Sequence, residues 1–338
     1  MKIIMRAALM MVALCLATSA HPLPATAAAP AALKAPGASG ASGASRSPVR
    51  PAPPAASSTP VKPGTHARTI TMPSFNWLVK EKWERTYLLH VPQHRRAAKP
   101  PPLVIALHGG LDDSKYIQNQ SGLDAVSERH GFVVAYPDGF LRTWNAGGCC
   151  WFARLAQVDD VAFIDQLITT LVKEKLADPR RIYLTGFSNG GGLAYKYVCE
   201  RPNRVAAIGV VSGALATACP SRPKVSLLAF HGTSDFSVPY NGGGNLDFDV
   251  KEPFLPVQTV VDIWRRLAGL PALAFDYFAK AATRCKTTGR SRTEVALCTV
   301  TGGGHEWPVP TKTAGVDGTE MLWSFFAAHP RSSAAAKQ

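Results

Sequence analysis

The sequence predicts an α/β protein with a mostly parallel central sheet and helices on both faces. Three observations carry that expectation. Short continuous apolar runs such as Leu103–Leu107 and Gly131–Tyr136 read as strands buried on both sides. Segments with apolar residues at helical spacing fall between such runs, as at Val161, Ile164, Leu167, Ile168 and Leu171. Four strand-like runs also end in glycine-marked loops: His108-Gly109-Gly110, Gly186 to Gly190, His231-Gly232, and Gly302-Gly303-Gly304-His305. Buried strands alternating with helices indicate a parallel sheet. In such sheets the chemistry gathers at the carboxyl ends of the strands.

The elements follow in order. Leu103–Leu107 opens the sheet, and Gly131–Tyr136 is stopped by Pro137-Asp138-Gly139. Asp160 to Leu176 reads as an amphipathic helix ended by Asp178-Pro179. Arg181 to Thr185 is a strand, Gly190 to Glu200 a helix broken at Arg201-Pro202, and Val205 to Val211 a strand. Lys224 to Phe230 is a strand, Pro256 to Ala268 a helix, Ala274 to Ala279 and Glu294 to Val300 late strands, and Gly318 to Ala328 a closing helix.

Not all of the 338 residues are expected to fold. Residues 1–20 read as a secretory signal: Lys2 and Arg6 precede an apolar run that is too short for a spanning helix, and small residues follow. Cleavage falls after Ala20 or within Ala25 to Ala29. Cys15 follows Leu14, where a lipoprotein signal wants a small residue, so lipidation is not expected. Residues 21–67 are Ala, Pro, Ser and Gly with almost no bulky apolar side chain, the composition of a disordered tether. The folded domain is expected over 68–330, with a short disordered tail at 331–338.

A leader implies an oxidising destination, extracellular or periplasmic. The six cysteines beyond it are Cys149, Cys150, Cys199, Cys219, Cys285 and Cys298, an even number that favours disulfides. Cys285 and Cys298 flank a hairpin pattern and are expected to pair. One of the adjacent Cys149 and Cys150 is expected to be tied to Cys199 or Cys219. No Cys or His spacing suits a metal, so neither metal nor cofactor is expected. The formal charge of +14 is scattered, without a basic stripe interleaved with aromatics, so no nucleic-acid partner is inferred. Stable membrane insertion is likewise not expected.

The chemistry centres on Gly186-Phe187-Ser188-Asn189-Gly190. A Gly-x-Ser-x-Gly between a strand and a helix sets the serine on a sharp turn at the top of the sheet. A serine hydroxyl needs a base to remove its proton and a third group to hold that base. With the order serine, acid, histidine, the base is chosen among His231, His305 and His329. His305, freed by three preceding glycines, is the choice; His231 reads as structural and His329 as part of a frayed end. Asp235, just beyond a strand, is the acid, ahead of Asp247 and Asp249 in a glycine-rich loop and Asp262 on a helix. The oxyanion of an acyl-transfer intermediate would be met by the Asn189 amide and by Gly110 or Leu111 of the loop after the first core strand.

These segments resemble the polyhydroxybutyrate depolymerase and feruloyl esterase group of secreted α/β hydrolases. The matching stretches are Leu107-His108-Gly109-Gly110, Thr143-Trp144-Asn145 with Cys149-Cys150, Val158-Asp159-Asp160-Val161, Gly186 to Gly191, His231-Gly232-Thr233 with Asp235, and Gly303-Gly304-His305 with Trp307-Pro308. The resemblance implies the α/β-hydrolase fold and Ser188, Asp235 and His305 as the triad. It places Trp144 and Trp307 near the substrate pocket, with ordinary core packing as the competing reading. Gly191-Gly192-Leu193 departs from a methionine-rich helix start. Gly269-Leu270 stands where a cysteine is frequent, which strengthens the Cys285–Cys298 pairing. The expected substrate is a carboxylic ester, a hydroxyalkanoate oligomer or polymer ahead of a feruloyl or acetyl ester on plant polysaccharide. A non-catalytic binding protein on the same fold is the rival from another class, and a peptidase the nearer one.

Overall fold

The computed structural model describes residues 61–73, 82–94, 99–245 and 252–332. The expected signal, most of the expected tether, the end of the tail, and the competing acids Asp247 and Asp249 lie outside the described residues.

β3 (Leu103–Leu107) shows why the sheet is buried on both faces. Leu103, Ile105 and Leu107 belong to one apolar cluster, while Val104 and Ala106 belong to a second on the opposite side. Alternation along a strand divides one run between two cores. Beside β3 lie β4 (Val133–Pro137) and β5 (Ile182–Phe187), both parallel to it. β6 (Ala207–Val211), β7 (Ser226–Gly232) and β10 (Val295–Val300) continue the parallel series.

Both margins are antiparallel. β1 (Gly64–Met72) pairs with β2 (Trp83–Val91), which pairs with β4. At the other margin β9 (Thr283–Thr287) joins β10, and β8 (Phe275–Lys280) closes the sheet. The full order is β1-β2-β4-β3-β5-β6-β7-β10-β9-β8. β1 begins ahead of the expected boundary at 68, because Gly64 to Ala67 pair with Val91 to Leu88. That pairing satisfies backbone groups of a segment whose composition alone reads as tether.

One face of the sheet carries α4 (Asp160–Lys173), α5 (Asn189–Glu200) and α6 (Val257–Leu267). The other carries α1 (Ser114–Ser121), α2 (Leu123–His130) and α7 (Gly318–Ala328). A short α3 (Trp151–Leu155) follows the cysteine pair. Aspartates cap three of the helices: Asp113 accepts from Tyr116 N–H, Asp159 from Ala162 N–H and Asp317 from Glu320 N–H. α4 stops at Lys173 rather than at Leu176, since Lys175 has the left-handed φ of 59°.

The disulfides are Cys199–Cys219, Cys285–Cys298 and the adjacent pair Cys149–Cys150. Cys285 and Cys298 face each other in register across the β9–β10 hairpin, as expected. The expected link from Cys149 or Cys150 to Cys199 or Cys219 is not made. Cys199, on the last turn of α5, is instead met by the chain that leaves β6, so the two older candidates satisfy each other.

Candidate active site

β3, β5, β7 and β10 run the same way, so the loops leaving them emerge along one edge. Those four loops carry His108 to Leu111, Ser188, Asp235 and His305.

Ser188 sits between β5 and α5 with φ 52° and ψ −118°, a strained backbone for a residue with a side chain. Its amide donates to the Val211 carbonyl at 2.9 Å, and its carbonyl accepts from Gly192 at 3.0 Å. The flanking glycines are there for space. A Cβ on Gly186 would overlap the Gly190 backbone, and one on Gly190 would lie 2.5 Å from the carbonyl oxygens of Leu107 and His108. The turn therefore nests against the end of β3 and brings Ser188 beside the loop that follows it.

Asp235 lies in the turn after β7 and is buried. Its Oδ1 accepts from the Ser237 and Val238 amides at 3.0 and 2.8 Å. Its Oδ2 pairs with His305 Nδ1 at 2.8 Å. Burial alone would raise the carboxyl, but hydrogen bonding to His231 and His305 holds it well below the usual carboxylate range. His231 Nε2 stands 2.7 Å from the Val238 carbonyl and 3.4 Å from Asp235, so it fixes the acid's own turn. Among the described residues no hydrogen bond joins Ser188 Oγ to His305. The two are neighbours through Phe187, whose ring centroid is 4.7 Å from that of the imidazole.

The candidate donors for a developing negative charge are main-chain groups. The Asn189 amide, at the first position of α5, has no partner within the helix. In the facing loop the Leu111 amide donates to the Arg142 carbonyl at 2.7 Å, so Leu111 is not a free donor. The Gly110 amide is left for that role. Gly110 also has no room for a side chain, because the Trp151 ring lies where its Cβ would be. His108 is a brace for this loop: its Nε2 accepts from Gly139 N–H at 2.9 Å, and its Nδ1 is 2.6 Å from the Gly109 carbonyl. Burial pushes its pKa down to about 4, so the ring is neutral.

A pocket opens beside Ser188, lined by Ala146, Cys149, Cys150, Asn189, Gly192, Ala214, Val238 and Phe254. Its wall is almost entirely apolar. Trp144 and Trp307, expected near substrate, are both core residues: Trp144 is packed directly behind the site against Asn189, and Trp307 lies under α7. Trp144 is fully buried and donates Nε1–H to the His108 carbonyl at 3.0 Å. Trp307 donates to Thr319 Oγ1 at 2.9 Å within the cluster under α7. His329 is also buried, with its Nδ1 2.8 Å from the Phe325 carbonyl, and is no frayed end. Asp262 is taken up by Arg265 and Arg266 on its own helix. Sequence reasoning missed Phe254 and Trp151. Trp151 carried a signal in following the cysteine pair; Phe254 lies in a long loop with no periodicity to mark it. Among the described residues no group of His, Cys, Asp or Glu is arranged to hold a metal ion.

A strained serine at a strand-to-helix elbow, with a carboxylate-bound histidine on the loop after the last parallel strand, defines the α/β-hydrolase architecture. Residues 85–229 match the family described as Esterase PHB depolymerase. The chain is 28% identical over 233 residues to feruloyl esterase B of Piromyces equi, covering 65% of this chain and 42% of that protein. It is 32% identical over 170 residues to feruloyl esterase C of Emericella nidulans, covering 48% and 59% respectively. The chain thus spans about half the length of these two relatives. Among solved structures, an acetyl xylan esterase from Aspergillus awamori aligns with a TM-score of 0.56 at 16% identity, over 77% of this chain and 99% of that one. The resemblance read from the motifs is borne out: the matching family and both of these relatives are described as esterases.

Proposed function

We propose that the protein is an exported serine esterase that cleaves carboxylic esters with a compact apolar acyl group, hydroxyalkanoate oligomers or polymer foremost. The observation that supports it best is the buried Asp235 bound to His305 beside the elbow serine. In this reading Ser188 Oγ attacks the ester carbonyl carbon while His305 Nε2 takes its proton. The Gly110 and Asn189 amides hold the oxyanion. The alcohol leaves with the proton from His305, and water, deprotonated by the same nitrogen, releases the acid. Asp235 fixes the ring and stabilises the imidazolium. No cofactor enters this scheme.

The pocket supports the acyl preference, since Ala146, Ala214, Val238 and Phe254 offer nothing to a charged group. The surroundings support an apolar polymer. Leu111, Phe152, Phe236 and Leu255 are exposed, Phe236 at 85%, and each is next in sequence to Gly110, Trp151, Asp235 or Phe254. Large apolar side chains left exposed next in sequence to site residues support a contact surface there. A second reading, an acetyl or feruloyl ester on plant polysaccharide, is favoured by what the relatives' names describe. Export through a leader at residues 1–20, with a catalytic domain over 68–330, belongs to the same proposal and is supported by the disulfides.

Two measurements test it. A fluorophosphonate should label wild type at Ser188 and fail to label Ser188→Ala; a folded but unlabelled wild type would instead indicate a binding protein. In a panel of hydroxybutyrate oligomers, acetylated xylan and methyl ferulate, the oligomers should be cleaved with the highest kcat/KM. Preference for either plant ester would move the substrate to the second reading.

A further inference from the structure

We propose that Asn189 is a positioning residue whose side chain, clamped to the main-chain N–H and C=O of Trp144, sets the direction of its own main-chain amide. Asn189 Oδ1 accepts from Trp144 N–H at 2.7 Å, and its Nδ2 donates to the Trp144 carbonyl at 3.0 Å. Both ends of the carboxamide are thus spent on the main chain of one residue 45 positions away, its N–H and its C=O belonging to successive peptide units. The inference rests on the esterase reading, in which that amide faces the developing oxyanion.

Helix capping does not explain the residue. The cap position is Ser188, and no side chain there bonds to the helix. Asn189 is buried, and a buried carboxamide is retained only where its donors and acceptor are met. The backbone before it needs support as well. The φ and ψ of Ser188 lie in a sparsely populated region and persist only where the surroundings over-determine them.

Trp144 makes the clamp informative, because it touches both halves of the oxyanion site. Its main-chain N–H and C=O hold Asn189, while its indole N–H bonds to the His108 carbonyl at 3.0 Å, at the base of the loop that carries Gly110. Its ring lies 4.7 Å from that of His108. One residue therefore fixes the spacing of the two donors. The beam is anchored in turn: the Asn145 amide donates to Asp160 Oδ2 at 2.8 Å, and Asp160 Oδ1 accepts from Arg85 at 2.9 Å. Donors worth most in the transition state are those already in place before reaction.

The test is kinetic, using p-nitrophenyl acetate and an alkyl boronic acid as transition-state analogue. Asn189→Ala keeps the main-chain donor but frees its direction. We expect kcat to fall by about 10- to 100-fold with KM nearly unchanged, and boronate affinity to fall in parallel. Asn189→Ser breaks the same clamp while keeping a small polar side chain, so it should show a parallel loss and serves if Asn189→Ala does not fold. A folded variant with kcat and boronate affinity near wild type overturns the inference. So does a loss of kcat without a matching loss of boronate affinity, which is what general destabilisation would produce. A wild type that neither hydrolyses ester nor takes the fluorophosphonate overturns the esterase reading and this inference with it; an active wild type beside an unimpaired Asn189→Ala overturns the inference alone.

Discussion

His305 Nδ1 lies 2.8 Å from Asp235 Oδ2, and His231 Nε2 approaches the same oxygen at 3.4 Å. The acid thus stands between one histidine that can turn toward Ser188 and another tied to the Val238 carbonyl. Asp235 Oδ1, meanwhile, is held by two amides of its own turn. The carboxylate is fixed by groups that all favour its charged form.

That arrangement gives a pH prediction. Despite burial, hydrogen bonding to His231 and His305 depresses the folded-state pKa of Asp235 below its ordinary value of 3.8. The unfolded chain then binds more protons between the two values, so stability rises with pH there. The contribution is fully present above the ordinary carboxylate range and is lost as pH falls through the depressed value. Thermal unfolding from pH 5 down to pH 2 should show a steeper loss for wild type than for Asp235→Asn. The same variant should lower kcat by about a thousandfold or more, since its imidazole is held in the wrong tautomer.

Gly110 should tolerate no side chain. A Cβ there would overlap the Trp151 ring, so Gly110→Ala must displace either the indole or the donor loop. A cost of about 1–3 kcal/mol in stability is expected, with a loss of about tenfold or more in kcat. Adding Trp151→Ala should restore part of both, measured as a double-mutant cycle.

The buried Arg85–Asp160 pair should be costly to break. Both side chains are almost inaccessible, and Asp160 also accepts the Asn145 amide. Asp160→Asn leaves the Arg85 charge uncompensated, and urea unfolding should show a loss of about 3–5 kcal/mol. A loss under about 1 kcal/mol would mean that water reaches the guanidinium.

The Cys285–Cys298 bridge closes a hairpin whose residues are already in register. Replacing both cysteines by serine should cost about 2–4 kcal/mol, read by chemical denaturation, while kcat on soluble ester stays close to wild type. Cys298 lies within the ladder of β10 and not in the loop that bears His305, so stability and activity should separate.

Much of this molecule was legible because period and punctuation are local. The run Leu103–Leu107 marks a two-faced strand, and glycine spacing marks the elbow at Ser188. The order of Ser188, Asp235 and His305 follows from chain direction in a parallel sheet, where loops on one edge must come from successive strand ends. β1 and β2 were not legible, because their half-exposed alternation resembles a polar segment until a partner strand is present. Leu111 was wrongly credited as a donor because nothing local shows that Arg142, a distant residue, takes its amide.

Local sequence was enough for the layered class, the candidate site residues and the strand ends that carry them, since each depends on neighbours a few positions away. The tertiary structure decided what depends on contacts between remote segments: the burial of Trp144 and Trp307, the Cys149–Cys150 pairing, the apolar wall formed by Val238 and Phe254, and the clamp between Asn189 and Trp144. Hydrophobic periodicity says that a side chain is inside; only packing says which inside surface it touches.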